Sequence, residues 1–145
     1  MNIKNVKAVN RMFVAVLFTL SASVSAYAEV VIIVNPSNTA TLSDKDISRI
    51  FLGKLKSFSN GDKAVAVNLK FGSETRNEFE KKVLNKSSSQ IKAYWSKLVF
   101  SGKGKPPPEL VSDKDVMALV ASDSNVIAYI DSASVDDTVK VLKTF

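Results

Sequence analysis

The sequence predicts an α/β domain whose sheet is covered on both faces. Val30-Val31-Ile32-Ile33-Val34 is an unbroken β-branched run, the pattern of a strand with no face in water. Leu42–Ile47 and Val111–Val116 share one helix-opening chemistry, an apolar residue, then Ser-Asp-Lys-Asp, then an apolar residue. Helix-spaced apolar residues and strand-like runs alternate along the chain, which argues for helices layered on a sheet.

The domain begins after a leader. Lys4, Lys7 and Arg11 precede the apolar run Met12–Leu20, small residues follow, and Ala26-Tyr27-Ala28 precedes Glu29. That is the layout of a secretory signal peptide with an A-x-A cleavage site, and the apolar run is shorter than a membrane span requires. An uncleaved anchor is the other reading. The expected division is residues 1–28 as signal peptide and 29–145 as one domain, without a membrane span after cleavage.

Within the domain, the strand Val30–Val34 ends at the turn Asn35-Pro36-Ser37-Asn38. Ser43 then caps a helix with Asp46 at its third position and Leu42 stapled to Ile47; Ile47, Ile50 and Phe51 share one face, and Gly53 closes it. Asp44 and Asp46 resemble a carboxylate pair, but acids in a first helical turn favour the helix dipole. Asn60-Gly61 marks a turn within the polar connection Lys54–Lys63.

Ala64–Leu69 reads as one extended buried segment, followed by Gly72-Ser73-Glu74-Thr75-Arg76 and an amphipathic run carrying Phe79, Val83 and Leu84. A helix starting there presents free N–H groups, two hydroxyls and a guanidinium, the outline of an anion site. The same residues admit a purely local role, because Thr75-x-x-Glu78 fits a capping box.

Ser87-x-x-Gln90 opens a further helix with Ile91, Tyr94, Trp95, Leu98 and Val99 on one stripe, so Trp95 reads first as core. Gly102-Lys103-Gly104-Lys105-Pro106-Pro107-Pro108 lacks phosphate-loop spacing and reads as an exposed, partly polyproline linker, with a partner-binding strip as the alternative. After the Ser112-capped helix, Val126–Ile130 and Val139–Leu142 read as two strands separated by acidic Asp131–Asp137.

Composition narrows the chemistry. The chain has neither Cys nor His, which removes thiol nucleophiles, Ser-His-Asp triads, the usual zinc sites and the commonest general base. Ser73 beside Lys70 is only a proximity in sequence. No enzyme, metal or cofactor is expected. The formal net charge is +6, but half of that excess lies in the leader, and no basic stripe with aromatics follows, so no nucleic-acid partner is expected.

The motifs TLSDKDISRIFLGKLKSF, GSETRNEF, the Tyr94-Trp95 helix and Val126-Ile127-Ala128-Tyr129-Ile130 together resemble, in that order, periplasmic phosphate-binding proteins of ABC importers. The resemblance spans Ala40 to about Leu142. It implies one lobe of a type II periplasmic-binding-protein-like fold, a mixed sheet with helices on both faces, in a periplasmic protein. It also implies that Gly72, Ser73, Glu74, Thr75 and Arg76 hold inorganic phosphate or a related oxyanion, with an ABC importer as partner. Four positions depart from the family pattern: Glu74 replaces a glycine, Leu69 and Phe71 stand where an arginine and a proton-accepting aspartate occur, and Ala128 replaces a glycine. By the length of residues 29–145, about one lobe is expected, the one carrying the serine-threonine loop, without the lobe that closes over the anion. The alternative reading is a non-catalytic interaction module for an envelope protein or a second copy of the chain, with an eroded anion site.

Overall fold

The computed structural model describes residues 27–145, so the signal-peptide reading lies outside the described residues except at its last two positions. The chain runs β1 (Val30–Val34), α1 (Asp44–Phe51), β2 (Val65–Ala66), β3 (Asn68–Leu69), α2 (Glu74–Lys82), α3 (Ser88–Phe100), β4 (Glu109–Leu110), α4 (Asp113–Ser122), β5 (Val126–Asp131) and β6 (Lys140–Thr144). A four-stranded mixed sheet has the order β2-β5-β1-β6, and β3 pairs with β4 in a separate parallel ribbon. β1 is antiparallel to both β5 and β6, whereas β2 is parallel to β5.

All five residues of β1 are buried, as are Val126–Ile130 of β5. Neighbouring side chains on a strand point to opposite faces, so continuous burial means that both faces are covered. A mixed sheet covered by helices agrees with the expected α/β class.

The helix starts follow the local chemistry. Ser43, Ser87 and Ser112 each accept a hydrogen bond from the backbone N–H three residues on, and Ser87 with Gln90 forms a complete capping box. Asp44 pairs with Lys143 rather than with Asp46. Gly53, at φ 70°, closes α1 beneath Trp95; a Cβ there would lie 3.2 Å from the indole.

Two expectations are corrected. Helix α2 is capped by Ser73, not Thr75: Ser73 Oγ accepts from Arg76 N, which places Thr75 inside the first turn. The expected single strand Ala64–Leu69 divides at Val67. Val67 donates to Ile127 in the main sheet, while Asn68 donates to Pro108 and starts the second ribbon. The polyproline stretch therefore runs directly into β4, a strand too short to leave a periodic signal.

The core centres on Tyr129 of β5, Phe79 of α2 and Phe51 of α1. The Phe79 and Tyr129 rings stack with centroids 3.8 Å apart, and Phe51 meets Phe79 edge-on at 4.7 Å. The Tyr129 hydroxyl donates to Asn68 Oδ1 and accepts from Leu69 N–H, each at 3.3 Å, so the core tyrosine holds β3 in place. Burial pushes the Tyr129 pKa well above its ordinary value of 10.

A raised native pKa gives stability that is complete below the unfolded value and is lost as pH rises through and beyond it. Urea titrations of wild type and Tyr129→Phe should therefore converge above pH 10, with wild type losing about 1.4 kcal/mol per pH unit more than the variant. At neutral pH the variant should be less stable by about 1–3 kcal/mol, because Leu69 N–H and Asn68 Oδ1 lose a partner.

Candidate functional site

The five candidate residues occupy the turn between β3 and α2. Gly72 has φ 82°, a left-handed conformation that a Cβ would strain, although the space around it is open. Ser73 N–H donates to Lys70 O at 3.2 Å, and Ser73 Oγ accepts from Arg76 N–H at 3.4 Å. The N–H groups of Glu74 and Thr75 donate to no protein group among the described residues, as befits the first two positions of a helix. Glu74 is exposed at the same end.

Arg76 behaves differently from its neighbours. Only 4% of it is exposed, and its guanidinium is engaged by the protein itself. Nε donates to Glu80 Oε1 at 2.8 Å, one turn along the helix; Nη1 donates to Leu69 O at 2.9 Å and to Glu109 Oε1. Glu80 is buried too, and its second oxygen accepts from the Ser88 hydroxyl, which ties α2 to α3. Glu109 reaches across from β4, and its second oxygen accepts from Phe71 N–H at 3.3 Å. The Phe71 ring lies over the guanidinium at 5.2 Å.

Burial opposes the charged guanidinium, but the hydrogen bonds to Glu80 and then Glu109 outweigh it and hold the Arg76 pKa above its ordinary value. One cation facing two carboxylates leaves the cluster with net negative charge. An incoming oxyanion at the guanidinium therefore meets repulsion unless Glu109 withdraws.

Arg76 alone of the five lines a groove of about 520 Å³, with Phe71, Ile91, Trp95, Val99, Phe100 and Pro106 as its apolar walls. Glu80, Glu109 and this groove were not among the sequence candidates. The Arg76–Glu80 spacing of four was a usable signal, since such pairs are neighbours on a helix. Glu109 is 33 positions away and had none. Among the described residues no group of three or more His, Cys, Asp or Glu converges on a metal position, and no helix is long and apolar enough to cross a membrane.

No family model and no curated protein sequence matches this chain. Solved structures do. An ABC-type phosphate transport receptor from Vibrio cholerae superposes with a TM-score of 0.62 at 20% identity, over 81% of this chain and 47% of the receptor. A putative phosphate ABC transporter substrate-binding protein from Clostridium perfringens, solved with bound phosphate, gives 0.63 at 22% identity over 81% of this chain and 46% of its own. PstS from Borrelia burgdorferi gives 0.57 at 14% identity over 79% of this chain and 47% of its own. The chain thus spans less than half the length of each.

The ion cluster sets a stability prediction. Glu80→Ala should cost about 3–5 kcal/mol in urea unfolding, because it removes the buried partner of a buried cation. Glu109 is 43% exposed, so Glu109→Ala should cost no more than about 1 kcal/mol. Taken with the superpositions, the mixed sheet and its helices show that this chain has the fold of one lobe of an ABC-type phosphate receptor.

Proposed function

We propose that this chain is a solute-binding-type protein, not an enzyme, that takes inorganic phosphate or a related oxyanion at the start of α2. In this reading it is secreted by a cleaved signal peptide, works in the periplasm and delivers its anion to an ABC importer. The supporting observation is the start of α2, where the Glu74 and Thr75 N–H groups have no protein partner among the described residues. The Clostridium structure of the same fold holds phosphate, which supports an anion as the ligand.

Gly72 gives the turn its conformation, while Ser73 and Thr75 bring hydroxyls to the helix end. Arg76 enters by exchange. Glu109 already occupies the guanidinium and the Phe71 N–H, so an oxyanion gains Arg76 only by displacing a carboxylate. Glu109 suits that role because it is partly exposed and sits on a two-residue strand, whereas Glu80 is buried and stays with Arg76. Glu74 adds a second negative charge near the ligand, so affinity should be weak.

Calorimetry with inorganic phosphate at low ionic strength tests this reading. Wild type should bind in the millimolar range. Glu109→Gln should bind about tenfold more tightly, equivalent to about 1.4 kcal/mol, by removing the competing charge. Thr75→Ala should weaken both. Absence of heat in wild type and in Glu109→Gln alike would exclude oxyanion capture here.

A further inference from the structure

The groove beside α2 is not explained by oxyanion capture. Its floor is Ile91 and Trp95 of α3 with the Arg76–Glu109 pair, and its walls are Phe71, Val99, Phe100 and Pro106. Phe100 is 96% exposed, Val99 54% and Phe71 45%, so large apolar side chains line the mouth in open water. Apolar surface gathered around a concavity is the ordinary form of an interaction site.

The groove is also preformed. Lys103 N–H donates to Leu98 O at 2.9 Å and Asn68 N–H donates to Pro108 O, so the segment that carries Pro106 is tied at both ends. A rigid wall loses little freedom when something docks.

Charge selects the occupant. Lys92 lies on the wall, Lys70 precedes Phe71, and Lys103 and Lys105 precede Pro106; none of the four pairs with a carboxylate among the described residues. The one carboxylate in the lining, Glu109, is already held by Arg76 and Phe71 N–H. The floor carries the net negative charge of the Arg76 cluster, while the free charge in the lining is the positive Lys92, with Lys70, Lys103 and Lys105 beside the wall residues in sequence. A second copy related by a two-fold axis would set lysine against lysine, which disfavours the chain as its own partner.

We infer that this groove docks an acidic peptide segment of another protein, which inserts an aromatic or aliphatic side chain against Trp95 while its carboxylates meet the lysine rim. This inference does not depend on oxyanion capture at α2.

Selection of 12-residue peptides from a random displayed library on the purified protein, followed by fluorescence titration with the enriched synthetic peptides, tests it. Trp95 is the only tryptophan in the chain, so its emission reports the groove directly. The expected result is enrichment of Asp and Glu around Phe, Trp or Leu, a shift in Trp95 emission, and binding weakened at least tenfold by Phe100→Asp and by Lys92→Glu. Both side chains are exposed, so the variants should keep the wild-type circular dichroism. Basic or unenriched peptides, or binding indifferent to these substitutions, would overturn the inference. So would a dimer in sedimentation that Phe100→Asp dissolves, which would make a second copy the occupant. A Trp95 shift with phosphatidylglycerol vesicles but not with peptides would assign the surface to a membrane instead.

Discussion

The structure around the candidate site depends on one buried cation. Arg76 is enclosed by α2, β3 and β4, and it remains charged there because Glu80, Glu109 and the Leu69 carbonyl replace the water it has lost. The same contacts join distant parts of the chain. Glu80 continues to Ser88 on α3, Glu109 brings β4 beside β3, and Tyr129 braces β3 from the main sheet. A lysine could not replace it, since a single ammonium lacks the fork that reaches three acceptors in fixed directions.

This arrangement decides what the turn before α2 can do. A guanidinium facing solvent attracts any oxyanion, whereas one satisfied internally attracts an anion only through competition. The helix end itself is open at Glu74 and Thr75, so the site divides into a free backbone portion and a contested side-chain portion. Under the proposed oxyanion capture, such a division predicts a low affinity that is sensitive to one carboxylate, Glu109. The apolar groove beside it answers to different physics, that of apolar surface with Lys92 in its lining, which pairs with no carboxylate among the described residues.

Much of the fold was legible because it is local. Ser43, Ser87 and Ser112 announce their helices through capping chemistry that needs only neighbouring residues, and Val30–Val34 declares a buried strand through its unbroken apolar run. Short elements were not legible. The division of Ala64–Leu69 at Val67 and the pairing of β3 with β4 follow from tertiary contacts that leave no period in two residues. At the site, the position of the turn was readable but the state of Arg76 was not. Whether an arginine points out or in depends on which acids the fold brings to it, and Glu109 arrives from the far side of a proline-rich segment. The cap lies at Ser73 and not at Thr75: Ser73 precedes the first helical turn and accepts from Arg76 N–H, although only Thr75 has a Glu three residues on, the pattern read in sequence.

The most direct measurement of the central claim is the nitrogen-15 NMR signal of the Arg76 side chain. A guanidinium held by Glu80 and Glu109 should give a sharp Nε–H resonance at neutral pH, protected from solvent exchange and lost or rapidly exchanging in Glu80→Ala. A broad, fast-exchanging resonance in the wild-type protein, unchanged by that substitution, would contradict it.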